Sequence, residues 1–181
     1  VTEPLSHLER VGVIRSYAKQ YGIRNFVESG TAEGFTISHL LEDFDWLTTI
    51  EIDEGLCKAA RERFREHSKV CCVNADSGQF LKSLVPYMSR PTLFWLDGHF
   101  CGGPGRGEID TPIREELDAV VHAPRGSVIL VDDARLFEGM DNHTEEFADY
   151  PHWEEVQGWA LRNQFNFIIE DDVMRLTPYG F

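Results

Sequence analysis

At 181 residues, with 17 Lys and Arg against 31 Asp and Glu and a formal net charge of −14, the sequence has room for one domain with a real core and little room for two. So acidic a chain argues against nucleic acid or an anionic membrane as a main partner and favours cationic ligands and metal ions. No run approaches the ~18 apolar residues of a membrane helix, and Val1 to Gln20 lacks a basic start followed by an apolar block, so a cytoplasmic protein is expected.

Leu5, Leu8, Val11, Ile14, Ala18 and Tyr21 recur every three or four residues and predict one apolar stripe on a helix. Ser6 with Glu9 forms a capping-box pattern, with a start at Thr2 as the alternative, and Gly22 supplies a stop. The next stretch, Asn25 to Ile37, reads as a short strand, a turn carrying Gly30 and Gly34, and a helix start running on to about Phe44. Such a turn brings a ligand close to the backbone, and the helix start favours an anionic group; an ordinary strand-to-helix connection is the plain alternative. Trp46 to Ile52 is a second strand, followed by a helix with Leu56, Ala60 and Phe64 on one face. Val70 to Val73 is a third strand, and Phe80, Leu81 and Leu84 mark a short helix ending near Pro86.

Thr92 to Leu96 is apolar on both faces, as in the middle of a parallel sheet. A loop with glycines at 102, 103, 105 and 107 follows, then a helix over Pro112 to His122. Ser127 to Val131 is a fifth buried strand. Phe147 to Arg162 is helical, and Phe165 to Ile169 with Val173 to Thr177 form a hairpin across a very short link. The predicted architecture is a single α/β domain over residues 1–181, a Rossmann-like doubly wound sheet of seven strands with an antiparallel C-terminal hairpin strand. The tryptophans at 46, 95, 153 and 159 are expected in or beside the core. Cys57, Cys71, Cys72 and Cys101 contain no C-x-x-C pair and are expected as buried, reduced thiols, with Cys71 and Cys72 on opposite faces of a strand.

Every predicted parallel strand ends in acid: Glu28, then Glu51 and Asp53, then Asp76, then Asp97, then Asp132 and Asp133. Ligands of open α/β sheets sit outside these carboxyl ends. Gathering so many negative charges along one crevice is costly unless cations or hydrogen-bond donors compensate. An acid at the end of the second strand suits the hydroxyls of a ribose, Glu51 being the first choice and Asp53 the second. Asp76 and Ser77 are placed to meet a base edge. Asp97, Asp132 and Asp133 make an all-oxygen set suited to Mg²⁺, with helix capping or a turn as the plain alternative for each aspartate alone. His99 is a candidate general base, or a loop or second-sphere histidine. Arg106 and Arg135 flank this set and are candidates to hold an anionic substrate group.

Four motifs in order carry a family resemblance. Glu28-Ser-Gly-Thr-Ala-Glu-Gly34 looks like the cofactor turn of class I S-adenosylmethionine-dependent methyltransferases. Thr49 to Asp53 resembles their ribose-binding strand end. Asp97 with Asp132-Asp133 resembles the metal triad of Mg²⁺-dependent O-methyltransferases. Leu96 to His99, Thr111-Pro-Ile and Val131 to Arg135 look closest to the macrocin, mycinamicin and novobiocin type of sugar O-methyltransferase, and more distantly to catechol O-methyltransferases. The resemblance implies S-adenosylmethionine as cofactor, held by Glu28, Ser29, Gly30, Thr31, Gly34, Glu51, Ile52, Asp76, Ser77 and Asp97. It implies Mg²⁺ or another divalent cation on Asp97, Asp132 and Asp133, with Asp97 or His99 as the base toward a small hydroxylated acceptor. A non-catalytic cofactor-binding module, or a metal-dependent enzyme of another reaction class, is the alternative. The catechol-type catalytic lysine has no counterpart, because Phe100 stands there. With only one helix before the first strand, the acceptor pocket is open, completed by a partner subunit in a homo-oligomer, or closed by residues 100–111.

Overall fold

The computed structural model describes residues 4–98, 111–137 and 149–180. The chain opens with α1 (His7–Tyr21), started by the Ser6–Glu9 capping box and ended by Gly22 in the left-handed region. It then alternates β1 (Asn25–Ser29), α2 (Phe35–Leu40), β2 (Trp46–Glu51), α3 (Glu54–Arg63), β3 (Val70–Asn74), α4 (Ser77–Leu84), β4 (Thr92–Leu96), α5 (Ile113–Val120) and β5 (Val128–Val131). A 3-10 turn at Val85–Tyr87 closes α4, where Pro86 cannot continue a helix, and a second follows β5 at Ala134–Phe137. The chain finishes with α6 (Trp153–Arg162), β6 (Phe165–Glu170) and β7 (Val173–Pro178).

The seven strands run in the order β3-β2-β1-β4-β5-β7-β6. β1 to β5 are mutually parallel, whereas β7 is antiparallel to both β5 and β6. The hairpin therefore does not extend the sheet outward from β5 in chain order; its second strand inserts next to β5. The link is Asp171-Asp172, both with positive φ, the pattern of a type I′ turn whose twist matches the strands. This turn lies at the same sheet edge as the carboxyl end of β5. The order of the other strands reverses between β1 and β4, which makes that edge the expected ligand crevice.

Alternate residues of each central strand feed two cores, as a period of two requires. On one face Phe26, Leu47, Leu93, Trp95 and Leu130 meet Val11 and Ile14 of α1, Ile37 and Leu40 of α2, and Ala60 of α3. On the other, Val27, Ile50, Phe94, Leu96 and Ile129 meet Leu81 of α4, Leu117 of α5 and Val156 and Ala160 of α6. Burying each large side chain of this kind contributes about 1.5–3 kcal/mol, so the parallel strands are fixed from both sides.

Several expectations need correction. Leu8 is 62% exposed. Each i+3 step falls about 60° short of a full helical turn, so Leu8 has rotated away from the stripe centred on Val11, Ile14 and Ala18. Trp46 is 60% exposed, because it starts β2 at the rim of the sheet and not in its core, where Trp95 lies. Cys71 is exposed and Cys72 only half-buried, since β3 is an edge strand; Cys57 alone of these three is buried. The helix predicted over Phe147 to Arg162 is described from Trp153, and Cys101 lies outside the described residues. Among the described residues no helix is long and apolar enough to cross a membrane.

Candidate active site

The crevice is built first by glycine. Gly30 has φ +81°, and a Cβ there would stand 2.2 Å from the carbonyl oxygen of Asp97. Only glycine lets the end of β1 approach the end of β4 so closely. Gly34, with φ +72°, precedes α2, and a Cβ on it would meet the Phe64 ring at 2.9 Å. Between them the Gly34 N–H donates to the Thr31 carbonyl at 2.7 Å, closing the turn. The Asp97 N–H donates to Ser29 Oγ at 3.2 Å, so Ser29 ties β1 to β4 from within the core.

Glu51 stands at the end of β2 and is 6% exposed. One carboxylate oxygen accepts from the Ala32 N–H at 2.9 Å, and the other from the Asp53 N–H at 2.9 Å. The glycine turn and the β2 end are thereby locked into one unit. Ile52 beside it is 39% exposed, an apolar side chain facing out at the crevice rim. Asp53 caps α3 by accepting from the Leu56 N–H at 2.8 Å. Asp76 caps α4 by accepting from the Gln79 N–H at 2.9 Å, and the following Ser77 is buried.

Glu28 is 2% exposed and lies under the turn, out of the open crevice. The Thr31 and Thr49 hydroxyls share a hydrogen bond at 2.5 Å, and Thr49 Oγ1 stands 2.7 Å from a Glu28 carboxyl oxygen in a second. Burial pushes the Glu28 carboxyl up to about 8; the bonds from Thr49 and Thr36 pull it down, and repulsion from Asp97 and Glu51 adds to the rise.

The acids at the ends of β4 and β5 are gathered as the sequence suggests, and the two that follow β5 are paired with arginines. Asp132 is raised well above the usual carboxylate range, by burial first and then by Asp97 and Asp133. Arg10 reaches across from α1: its Nε stands 2.9 Å from Asp132 and its Nη2 2.8 Å from Asp133. The first contact is close enough for an ion pair but too poorly aligned for a hydrogen bond, whereas the second is both. Arg135 donates to Asp133 at 2.7 Å and also to Asp172 of the hairpin turn. Asp172, 3% exposed, further accepts from the Arg135 N–H at 2.8 Å. Asp133 itself has φ +54°, a left-handed conformation that Asp tolerates better than most residues.

Set against the expectations, the structure brings Ser29, Gly30, Thr31, Gly34, Glu51 and Ile52 together at one strand edge, with Asp97, Asp132 and Asp133 alongside. Asp53 and Asp76 act as helix caps. His99 and Arg106 lie outside the described residues. Arg135 serves Asp133 and Asp172, not an open anion site. The Mg²⁺ expectation does not fit this arrangement. Among the described residues no three His, Cys, Asp or Glu side chains form a group able to hold a metal, and the Asp132 and Asp133 charges are already matched by guanidinium groups. Arg10 and Asp172 escaped the sequence reading. So did Glu116, a carboxylate 1% exposed on α5 whose Oε1 would lie 3.3 Å from a Cβ at Gly98. An acid on the apolar face of α5, one residue before Leu117, was the available signal.

No protein-family profile and no curated protein matches the sequence. Solved structures do match in fold. The O-methyltransferase TomG from Streptomyces achromogenes, involved in tomaymycin synthesis and solved with SAM, is 16% identical with a TM-score of 0.68, over 96% of this chain and 82% of that one. An O-methyltransferase from Bacillus cereus, solved with SAH, is 16% identical with a TM-score of 0.65 over the same shares of 96% and 82%. The 23S rRNA methyltransferase ErmE is 20% identical with a TM-score of 0.54, over 93% of this chain and 68% of that one. The chain has the α/β fold of these methyltransferases, two of which were solved with SAM or SAH. The fold alone does not select the acceptor, since one neighbour is named for tomaymycin synthesis and another for 23S rRNA.

Proposed function

We propose that this protein is an S-adenosylmethionine-dependent O-methyltransferase acting on a hydroxyl of a small polyhydroxylated acceptor, a sugar or a catechol-like compound. The observation that carries the reading is the Glu51 carboxylate, buried at the end of β2 and braced by two backbone N–H groups against the glycine turn. A carboxylate has about four lone-pair sites, so two remain for the hydroxyls of a ribose. The Ser29–Gly34 turn admits the methionine end, Ile52 gives the adenine an apolar surface, and Asp76 and Ser77 lie on the base side. Glu28 holds the turn from beneath through Thr49 and Thr31.

When bound, the cofactor supplies a methyl carbon on a cationic sulfonium, and the acceptor oxygen bonds to that carbon as the carbon–sulfur bond breaks with its electron pair left on sulfur. The acidic crevice favours that cation. Asp97, at the β4 end next to Gly30, takes the proton of the acceptor hydroxyl; His99 is the second candidate for that role. No step here uses a metal. The net charge of −14 supports a small acceptor over RNA, whose phosphates the surface would repel.

Calorimetric titration with S-adenosylmethionine tests the cofactor assignment, and a methyl-transfer screen over sugars and catechols tests the acceptor class. Saturable binding with turnover on a vicinal diol is the expected result. Absence of cofactor binding by the folded protein sinks the proposal.

A further inference from the structure

We propose that Arg10 is the resident cation of the acidic edge, standing where a divalent ion would neutralise the two aspartates that follow β5, so that methyl transfer here is independent of metal. The inference extends the methyltransferase reading, and only its statement about turnover rests on that reading. Its basis is the ion-pair set at the end of β5. The Arg10 side chain is 18% exposed and those of Asp132 and Asp133 are 1% and 9% exposed. One guanidinium spans both carboxylates, with contacts of 2.9 Å and 2.8 Å. Arg135 takes Asp133 from the other side at 2.7 Å and continues to Asp172.

The two kinds of cation exclude each other. Mg²⁺ demands a near-octahedral shell of oxygens at 2.0–2.1 Å and keeps several waters. A planar guanidinium fork in contact with the same carboxylates occupies the directions those bonds need. A divalent ion bound there would face Arg10 as a like charge in a poorly solvated place. Expelling Arg10 would give up its contacts to both aspartates, including the charge-assisted hydrogen bond to Asp133. Arg10 is thus a positioning residue: it holds Asp132 and Asp133 in place and fastens α1 to the acceptor side of the crevice. Unlike a metal, it is tethered, so its charge does not depend on ion supply.

The test is Mn²⁺ binding, followed by calorimetry and by the electron paramagnetic resonance of free Mn²⁺, on the full chain without cofactor. The wild type is expected to bind no Mn²⁺ in an Asp132-dependent way at millimolar concentrations. R10Q is expected to gain at least about tenfold in Mn²⁺ affinity, and R10Q/D132N to lose that gain. R10M, which fills a similar space without the charge, is expected to gain Mn²⁺ affinity as R10Q does, a gain that a purely space-filling role would not produce. Asp132-dependent Mn²⁺ binding by the wild type overturns the proposal, and so does a folded R10Q that gains nothing. Should R10Q fail to fold, the wild-type and D132N titrations still decide. Turnover that survives EDTA is the expected companion result, and turnover lost to EDTA and restored by Mg²⁺ is the contrary one. Because metal binding is read without cofactor, its outcome is separable from failure of the methyltransferase assignment.

Discussion

Glu51 commits one oxygen to the Ala32 N–H and the other to the Asp53 N–H, and both bonds hold it ready for a ligand. Hydrogen bonds to a charged group are worth about 1.5–3 kcal/mol each, so E51A is expected to weaken S-adenosylmethionine binding by roughly 10- to 100-fold, read by calorimetry, with the circular dichroism of the folded chain retained. Glu28 predicts a different effect. Its folded carboxyl titrates near 8, against an ordinary value of 4.5. Between those values the native state binds the proton more strongly than the unfolded state does. Stability therefore falls as pH rises from about 4.5 to 8, by on the order of 4 kcal/mol if Glu28 alone is responsible. E28Q keeps an acceptor for Thr49 and removes the titration. Urea denaturation at pH 5 and pH 8 is expected to show a flatter profile for E28Q than for wild type; equal slopes would mean that Glu28 is already ionised in the fold. At this scale the acids were legible because side-chain type and strand-end position are both local. Their partners were not. Arg10 lies 123 residues from Asp133, and no spacing rule joins them.

The glycine turn makes the sharpest claim among the elements. A Cβ at Gly30 would meet the backbone carbonyl of Asp97, which directly follows β4, a central strand with all five residues buried. Neither strand end can yield without disturbing both cores, and φ +81° adds backbone strain for alanine. G30A is expected to lower stability by at least ~2 kcal/mol in urea denaturation, or to prevent folding; a variant as stable as wild type would mean that the β1 and β4 ends separate freely. Most elements could be read from the sequence, because apolar runs such as Thr92 to Leu96 and caps such as Ser6–Glu9 encode them locally. The insertion of β7 beside β5 was not legible. A short hairpin link specifies that two strands pair, but it leaves open which of them meets the rest of the sheet. Exposure at the margins was misread for the same reason: Trp46, Leu8 and Cys71 are apolar by type and lie outside the core by place.

The whole molecule carries a charge of −14, and its fixed cations near the site are held by aspartates. S-adenosylmethionine carries a positive sulfonium that its demethylated product lacks. The summed field is therefore expected to favour the cofactor over the product, and salt to reduce the preference. Raising ionic strength from roughly 0.05 to 0.5 M is expected to weaken S-adenosylmethionine binding about two- to fivefold more than S-adenosylhomocysteine binding in parallel titrations. An unchanged ratio would show that only short-range contacts distinguish the two.

The far-reaching arginine contacts also give the two sides of the crevice different assembly histories. The side proposed for the cofactor is made by β1, the glycine turn, β2 and the start of α4, a run of neighbouring segments that can form early. The opposite side needs Arg10 from α1, Asp133 after β5 and Asp172 from the last hairpin, and it must wait for the end of the chain. Contacts of such separation in sequence form late, after the loop-closure entropy between them has been overcome. A growing or C-terminally shortened chain would thus have the Glu51 brace and the glycine turn before it had the ion-pair set on the other side.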